Sequence, residues 1–391
     1  MKKINKIIFI LILGIVFAGC ETEVTTTSSE ESEDVVVDYS EYQKAIETPE
    51  NFSESRNLYY GIMKGKAIYA RMGVDQDGLP FYKYDLSNHQ IDEGWVIPDF
   101  QMSMYYMAAD DEYIYQFILC NSEEDTGNYK GTTLYRMNTQ TNEVDKIDHS
   151  LDTISGYNIC VCNNKIISLA KHTTDMGTKV FIETYNPDSK EWRQIREYDP
   201  QNGEPNIKED IIDICSNGEE IFAYCKSSET NKAQIEVIDT DGELRRIIEV
   251  SSETDAYITS NFIRDMKIYG DYIYMLNGNM YSVIMKIRNS ELVEIRRDRY
   301  MLADPIYSGK KPVFFRADLE SDKNYIIEIN NDEVKEYYIP IANDTGEYRY
   351  HFNYGVTDDK QCCVICHKSE EKNRVYLINR EDFGKVYISI E

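Results

Sequence analysis

YNICVC at 157–162, KIISLA at 165–170 and FIETYNPDSKEWRQI at 181–195 decide how this chain is read. Each is short and rich in the β-branched and aromatic residues that fit a pleated, half-buried surface. Asn163-Asn164 and Asn186-Pro187-Asp188 interrupt them, and Asn, Asp and Pro reverse a chain at low steric cost. The stretch therefore reads as four short strands, with a variable loop between the second and the third.

The same unit recurs on both sides. Further second strands read KAIYARM (66–72), EYIYQFI (112–118), EIFAYCK (220–226), DYIYML (271–276), PVFFRA (312–317) and QCCVICH (361–367). First strands fit in front of them: NLYYGIM (57–63), SMYYMA (103–108), IIDIC (211–215), RDMKIY (264–269), MLADPIY (301–307) and HFNYGV (351–356). The hairpins between third and fourth strands turn at Asp85, Asn138, Asn186, Asp239, Arg288, Asn330 and Asn379, spaced 53, 48, 53, 49, 42 and 49 residues apart. A period near 49 with four strands per unit is the pattern of a β-propeller blade array. The expected fold is all-β: a seven-bladed β-propeller of four-stranded antiparallel blades over 57–391. Six or eight blades follow if the short 42-residue spacing is misassigned. The phase runs from strand one of the first blade to strand four of the last, so closure needs no exchanged strand, although residues 35–48 offer an edge strand. The units, LYRMNTQTNEV above all, resemble the blades of bacterial propeller lipoproteins and of TolB-like and YWTD-like propellers. That resemblance implies a fold and carries no catalytic residue with it.

The N-terminus supplies an address. Residues 1–19 begin with Lys2, Lys3 and Lys6, and continue with an apolar run over Ile7–Val16. The run is too short to span a bilayer and has the flanks of a signal peptide. It ends Phe17-Ala18-Gly19-Cys20, which resembles a bacterial lipoprotein lipobox, with Phe17 where that family usually has Leu. The resemblance implies cleavage between Gly19 and Cys20 and acylation of Cys20 with fatty acyl chains of the palmitate kind. Two acyl chains suffice for stable attachment. The expected location is the cell membrane, lipid-anchored and facing outside the cytoplasm. Residues 20–38 follow as an acidic Ser/Thr tether that cannot bury a core. Residues 39–56 read as a helical or irregular lead-in, with weak helical spacing at Tyr39, Tyr42 and Ile46 ended by Pro49.

Composition narrows the function. The chain of 391 residues has 69 acidic and 42 basic side chains and a formal charge of −27. Loss of residues 1–19 removes three Lys and no acid, so the exported chain carries −30. Such acidity excludes nucleic acid as the main partner, because phosphate contacts need clustered Lys and Arg. Tyr is in excess, 32 against 13 Phe and 2 Trp, as strands with half-exposed positions permit.

No constellation announces chemistry. His89, His149, His172, His351 and His367 are scattered over several units. Of the Cys after Cys20, Cys120, Cys160, Cys162, Cys215, Cys225, Cys362, Cys363 and Cys366 lie in or beside first and second strands and read as packed thiols. Cys363-x-x-Cys366 has no second CxxC for zinc. Asp75-Gln76-Asp77-Gly78 and Asp239-Thr240-Asp241-Gly242 look like fragments of calcium loops but lack the full ligand spacing, and turn chemistry explains them. Glu123-Glu124-Asp125 and Glu370-Glu371 read as solvated loops. Arg296, Arg297 and Arg299 form a basic cluster that reads as a salt-bridged surface. No catalytic, cofactor or metal residue is therefore expected.

The leading expectation is a non-catalytic binding or scaffold propeller, with a protein, peptide or glycan at its mouth. An extracellular carbohydrate hydrolase or lyase with carboxylates at the channel mouth is the main alternative. An accessory subunit in cell-envelope assembly, signalling or solute capture is the other. Carboxylates that converge with perturbed protonation would favour the enzyme.

Overall fold

The computed structural model describes residues 46–47, 60–64, 67–71, 79–85, 90–97, 100–120, 131–147, 154–174, 177–198, 213–226, 232–259, 263–277, 280–299, 301–303, 312–318, 323–339, 351–357, 361–368 and 371–382. Side chains are described within 107–117, 133–147, 158–170, 179–198, 213–225, 232–255, 265–277, 280–299, 312–316 and 325–337, and at residues 301, 303, 380 and 381. The chain divides into Met1–Tyr39 and Ser40–Glu391. The first part, with the lipobox and the tether, lies outside the described residues. No helix among the described residues is long and apolar enough to cross a membrane.

The described residues of the second part are almost entirely strand. A short β1 (Ile46–Glu47) precedes β2 (Tyr60–Lys64), β3 (Ala67–Arg71), β4 (Leu79–Asp85) and β5 (Gln90–Ile97). Next come β6 (Phe100–Ala109), β7 (Tyr113–Cys120), β8 (Gly131–Asn138) and β9 (Val144–Ile147), then β10 (Ile154–Cys162), β11 (Lys165–Thr174), β12 (Gly177–Asn186) and β13 (Glu191–Tyr198). They are followed by β14 (Asp213–Ser216), β15 (Ile221–Lys226), β16 (Ala233–Ile238) and β17 (Leu244–Glu249). A helix, α1 (Ser252–Thr259), leads to β18 (Ile263–Tyr269), β19 (Tyr272–Asn277), β20 (Tyr281–Arg288) and β21 (Glu291–Arg299). The last are β22 (Met301–Ala303), β23 (Val313–Asp318), β24 (Lys323–Asn330), β25 (Glu333–Ile339), β26 (His351–Thr357), β27 (Gln361–Lys368) and β28 (Glu371–Asn379).

Consecutive strands pair antiparallel in groups of four. Two groups, β14–β17 and β18–β21, meet edge to edge through one parallel bridge, Glu249 to Glu291, and so form an eight-stranded sheet. The first strands of successive groups lie side by side: β6 by β10, β10 by β14, β14 by β18, β22 by β26, and β26 by β2. That order, returning from the last group to the first, is propeller-like.

The final sheet takes up the edge strand that residues 35–48 offer and departs from the helical reading of the lead-in at Ile46. Its order is β1-β28-β27-β26, with Ile46 opposite Val375 and Glu47 opposite Arg374. The chain's first strand thus sits on the edge of its last sheet, so closure does use a strand from the N-terminal side. The helical reading of the lead-in fails at Ile46 for the same reason. An isolated turn or two of helix is marginal in water, whereas the edge of β28 offers unpaired N–H and C=O groups to an extended segment. The fourth strand expected from KVYISI falls outside the described residues.

The turns carry out their sequence chemistry. Asn163-Asn164, Asn289-Ser290 and Asn331-Asp332 each hold two successive positive φ angles, 48° and 59°, 51° and 64°, and 51° and 70°. These are type I′ pairs, whose twist matches antiparallel strands. Longer hairpins are held by a side-chain oxygen at the strand end. Asn138 Oδ1 accepts from the N–H of Gln140 and Thr141 at 2.8 and 2.9 Å, and Asp239 Oδ1 accepts from Asp241 and Glu243 at 2.9 and 3.0 Å. The Asp239–Gly242 segment is therefore a turn. Helix α1, which strand spacing does not foretell, is capped by Ser251 Oγ accepting from the Thr254 N–H at 3.1 Å.

The cores lie between groups. Cys162, Ile167, Leu169 and Ile182 pack with Ile214, Ile221, Ala223 and Ile238 of the next group. Phe222, Ile235, Val237 and Ile248 pack in turn with Met266, Ile273, Met275, Val283 and Met285. Tyr274 and Ile284 pack with Phe314 and Ile327. Burial of each large apolar side chain contributes about 1.5–3 kcal/mol. Strand β19 is buried along its whole length, while β17 exposes five of its six residues. Where side chains are described, second strands such as β15 and β19 are buried, and fourth strands such as β13, β17 and β21 are mostly exposed or half-exposed.

Gly242 shows how closely the groups approach. Its φ is +90°, and a Cβ there would lie 2.1 Å from the Ile195 carbonyl oxygen of the preceding group. Gly218 has a similar φ of +94° and open space around it. Gly218→Ala should cost about 1 kcal/mol, the price of the left-handed backbone. Gly242→Ala should cost at least about twice that, because backbone must also move. Equal denaturation midpoints for the two variants would contradict this packing.

Candidate functional site

Three first strands, β10, β14 and β18, carry polar residues inside otherwise apolar text. Each places two such residues at i and i+2, hence on one face of its strand. They are Asn158 and Cys160, Asp213 and Cys215, and Asp265 and Lys267. Side-by-side packing of the three strands brings all six together.

Asn158 Nδ2 donates to Asp213 Oδ1 and, at 2.9 Å, to the Ile214 carbonyl of the adjoining strand. Its own Oδ1 lies 2.6 Å from the Ile159 N–H, which donates to it. Asp213 Oδ1 also accepts from the Ile214 N–H at 3.0 Å. Asp213 Oδ2 is buried and accepts no hydrogen bond among the described residues. Lys267 Nζ lies 3.3 Å from Asp265 Oδ1, with side chains 14% and 22% exposed, whereas Asp213 is only 2% exposed. Solvent thus meets Asp265 and Lys267 first, and Asp213 sits behind them.

The electrostatics follow from this layering. Burial, and then the Asp265 carboxylate, push the Asp213 carboxyl up to about 7, against the opposing pull of Asn158, Lys267 and the Ile214 N–H. Burial alone would lower Lys267, but Asp265 and Asp213 outweigh it and hold the ammonium above the usual lysine range. Burial pushes the Cys160 and Cys215 thiols up, so both stay neutral. The site therefore holds a carboxyl that changes charge near neutrality, a second carboxylate and a fixed ammonium, a set suited to moving a proton or gripping a polar ligand.

Other charges are mostly absorbed by structure. Arg296 binds Asp298 and Glu336 at 2.7 and 2.6 Å, and Arg297 binds Glu294 at 2.6 Å. Arg299 lies over the Tyr281 ring at 5.1 Å. Asp332 receives Tyr272 Oη, Lys286 and Arg288 at 2.7, 2.7 and 2.6 Å, and Lys286, then Tyr272, hold its carboxyl down to about 2. Cys160, Cys162, Cys215 and Cys225 are free thiols. Glu371 opens β28 and so belongs to a strand, not to a loop. Register sets His351 opposite His367 and His172 opposite Ile154, while His89 and His149 lie outside the described residues, as do Glu123-Glu124-Asp125 and Asp75–Gly78. The side chains of Cys120, Cys362, Cys363 and Cys366 are likewise outside. No three described His, Cys, Asp or Glu side chains gather as a metal ion would need.

The sequence reading singled out none of Asn158, Asp213, Asp265 or Lys267. Their common signal was the i, i+2 polar pair in IIDIC and RDMKIY, and the contact from Asn158 to Asp213 spans 55 residues.

No protein-family model and no curated protein matches the chain. Solved structures do. An oligogalacturonate lyase in complex with manganese superposes with a TM-score of 0.53 at 13% identity, covering 86% of this chain and 92% of that one. An oligogalacturonate lyase from Vibrio parahaemolyticus gives 0.52 at 10% identity, covering 87% and 94%. The acylaminoacyl peptidase of Pyrococcus horikoshii gives 0.55 at 11% identity, over 83% of this chain but 51% of its own. At such identities the likeness concerns the fold. It joins the strand order in assigning the chain to the β-propeller class.

The raised Asp213 has a pH signature. An ordinary Asp titrates near 4 in the unfolded chain. The folded state therefore binds this proton more tightly, and the group's stabilising contribution is complete below about pH 4. It is lost as pH rises from there through about 7, at most on the order of 4 kcal/mol. Asp213→Asn should remove that decline, so the variant gains on the wild type between pH 5 and 8 in thermal melts. An unchanged pH dependence would show that Asp213 does not hold this proton.

Proposed function

We propose that the chain is a lipid-anchored, extracytoplasmic β-propeller of seven blades, closed through β1, whose first-strand cluster acts on carbohydrate. The blade count rests on the seven four-stranded groups and on the first strands returning to β2. The anchor rests on the lipobox at Cys20 and the acidic tether behind it. The observation that carries the activity is the convergence of Asp213, Asp265 and Lys267 on adjoining strands, with one carboxyl poised near neutrality. In a hydrolase or lyase, Asp265 would meet the substrate, Lys267 would fix a hydroxyl or charged group, and Asp213 behind them would tune the proton affinity of the pair.

A non-catalytic binding module is the second reading, favoured by one fact: Asp213 is too deeply buried to touch a substrate itself. One set of assays separates the two. The protein is incubated with acidic, neutral and amino oligosaccharides, oligogalacturonate among them, and new reducing ends and unsaturated products are followed. Cleavage should fall about 100-fold or more in Asp265→Asn and Lys267→Met. Binding without cleavage returns the molecule to the second reading, and neither binding nor cleavage overturns the carbohydrate site. In the same cells, palmitate should label the wild type but not Cys20→Ser, and globomycin should leave the uncleaved precursor. An unlabelled wild type would overturn the anchor.

A further inference from the structure

Cys160 and Cys215 have no part in the function proposed above, and both are free thiols. Two contacts fix how their strands lie. Asn158 Nδ2 donates to Asp213 Oδ1, and the Asn163 N–H donates to the Gly218 carbonyl at 2.8 Å. The offset is 55 residues at both places, so β10 and β14 run parallel and in step, with Cys160 beside Cys215. Cys160 lies two residues beyond Asn158, and Cys215 two beyond Asp213. The thiols therefore share the strand faces on which that polar pair meets. Burial raises Cys215 most, and the next influence upon it is Cys160, ahead of Asp213 and Lys267. The two sulfurs are thus within close electrostatic reach.

This pair differs from the other described thiols in two respects. Cys160 is partly exposed, whereas Cys162, Cys215 and Cys225 are buried, so one member meets a reagent and the other lies behind it. Lys267 also pulls both thiols down, against the larger effect of burial. An ammonium beside a thiol favours the thiolate, which is the form that attacks. Cys160 and Cys162 share a strand face too. Residues at i and i+2 of one strand keep their Cβ atoms about 6.6 Å apart, beyond the roughly 3.5–4.5 Å that a disulfide needs.

We propose that Cys160 and Cys215 are a redox pair that closes into a disulfide between β10 and β14 by exchange with an external disulfide. Cys160 gives its proton to water, and its thiolate attacks one sulfur of R–S–S–R. That S–S bond breaks, and RS⁻ leaves and is protonated to RSH. Cys215 then loses its proton and attacks Cys160 Sγ in the mixed disulfide, which releases the second RSH. The protein gives up two electrons, and the external disulfide takes them up. The bridge joins two successive groups covalently, two residues from Asn158 and Asp213. It thereby fixes the spacing of the strands that carry the candidate site. Burial keeps both thiols neutral, so the exchange is slow at pH 7 and quickens as pH rises.

The intact protein in detergent is incubated with oxidised glutathione, blocked with iodoacetamide, digested and mapped by mass spectrometry. A peptide joining Cys160 to Cys215 should appear, at a rate that rises about tenfold from pH 7 to pH 8 as the thiolate fraction grows. Its formation should raise the melting temperature, and dithiothreitol should reverse both changes. Cys162→Ala should still give the joined peptide, and Cys215→Ala should stop with glutathione held on Cys160. Glutathione that accumulates on wild-type Cys160 while Cys215 stays unmodified overturns the pair, because the second thiol is then out of reach. A joined peptide that forms only in denaturant overturns it too, as does a Cys160 left unmodified at pH 8. The wild-type arms decide the matter even if a core variant fails to fold.

Discussion

The main cores described with side chains each span two successive four-stranded groups. Ile214, Ile221 and Ala223 are buried only because Ile167, Leu169 and Ile182 cover them, and Phe222 and Val237 on the other face need Met266, Ile273 and Met275. Each group is thus the lid of the one before and the floor of the one after. The dependence runs from group to group wherever side chains are described, and a ring in which the last group meets the first is the arrangement that ends it. Strand β2 lies beside β26, and β1 completes the sheet that β28 leaves open. Two residues are a short clasp, but they pair covalently distant ends of the chain where an unpaired edge would otherwise face solvent.

This constraint explains what was legible in the sequence. Second strands such as EIFAYCK and DYIYML read as almost continuous apolar runs because both faces are covered. Fourth strands such as ELRRIIEV read as mixed because one side is wet. Turn positions were legible because Asn and Asp at a strand end cap the hairpin with their own oxygen, a local interaction that needs no distant partner. Helix α1 was not legible. Its eight residues carry no apolar stripe, and it depends on Ser251 as a cap and on tertiary contacts, among them Tyr224 Oη donating to Asp255 at 2.7 Å. Strand β1 was ambiguous because Ile46–Glu47 has no local pattern, and its state is decided by an edge more than 300 residues away.

The cluster of Asn158, Asp213, Asp265 and Lys267 was illegible for a related reason. A polar residue in a strand normally marks a solvated face, and in IIDIC or RDMKIY one polar position looks like any other. Only the packing of three first strands makes Asp213 a buried carboxyl, and only then does Asp265 become its neighbour in charge. The Tyr excess has a similar explanation. Tyr115, Tyr224 and Tyr274 are fully buried rings, and their hydroxyls end on Asp110, Asp255 and the Met301 carbonyl. Tyr198 and Tyr272 likewise reach Glu236 and Asp332. An acid-rich chain gives many of these phenols an acceptor, so the two compositional oddities serve one packing scheme.

The central claim is that the ring is closed by the N-terminal strand lying on β28 in a fixed register. A cysteine pair tests it directly, placed at Ile46→Cys and Val375→Cys, which the register sets opposite each other. Oxidation should join the two in mass-mapped digests and raise the melting temperature of the whole molecule as one transition, because the cross-link closes a loop of more than 300 residues. A pair at Ile46→Cys and Leu377→Cys, two residues further along β28, should couple less efficiently and stabilise less. If neither pair forms, or both form equally without change in the melt, the N-terminal segment does not close the ring.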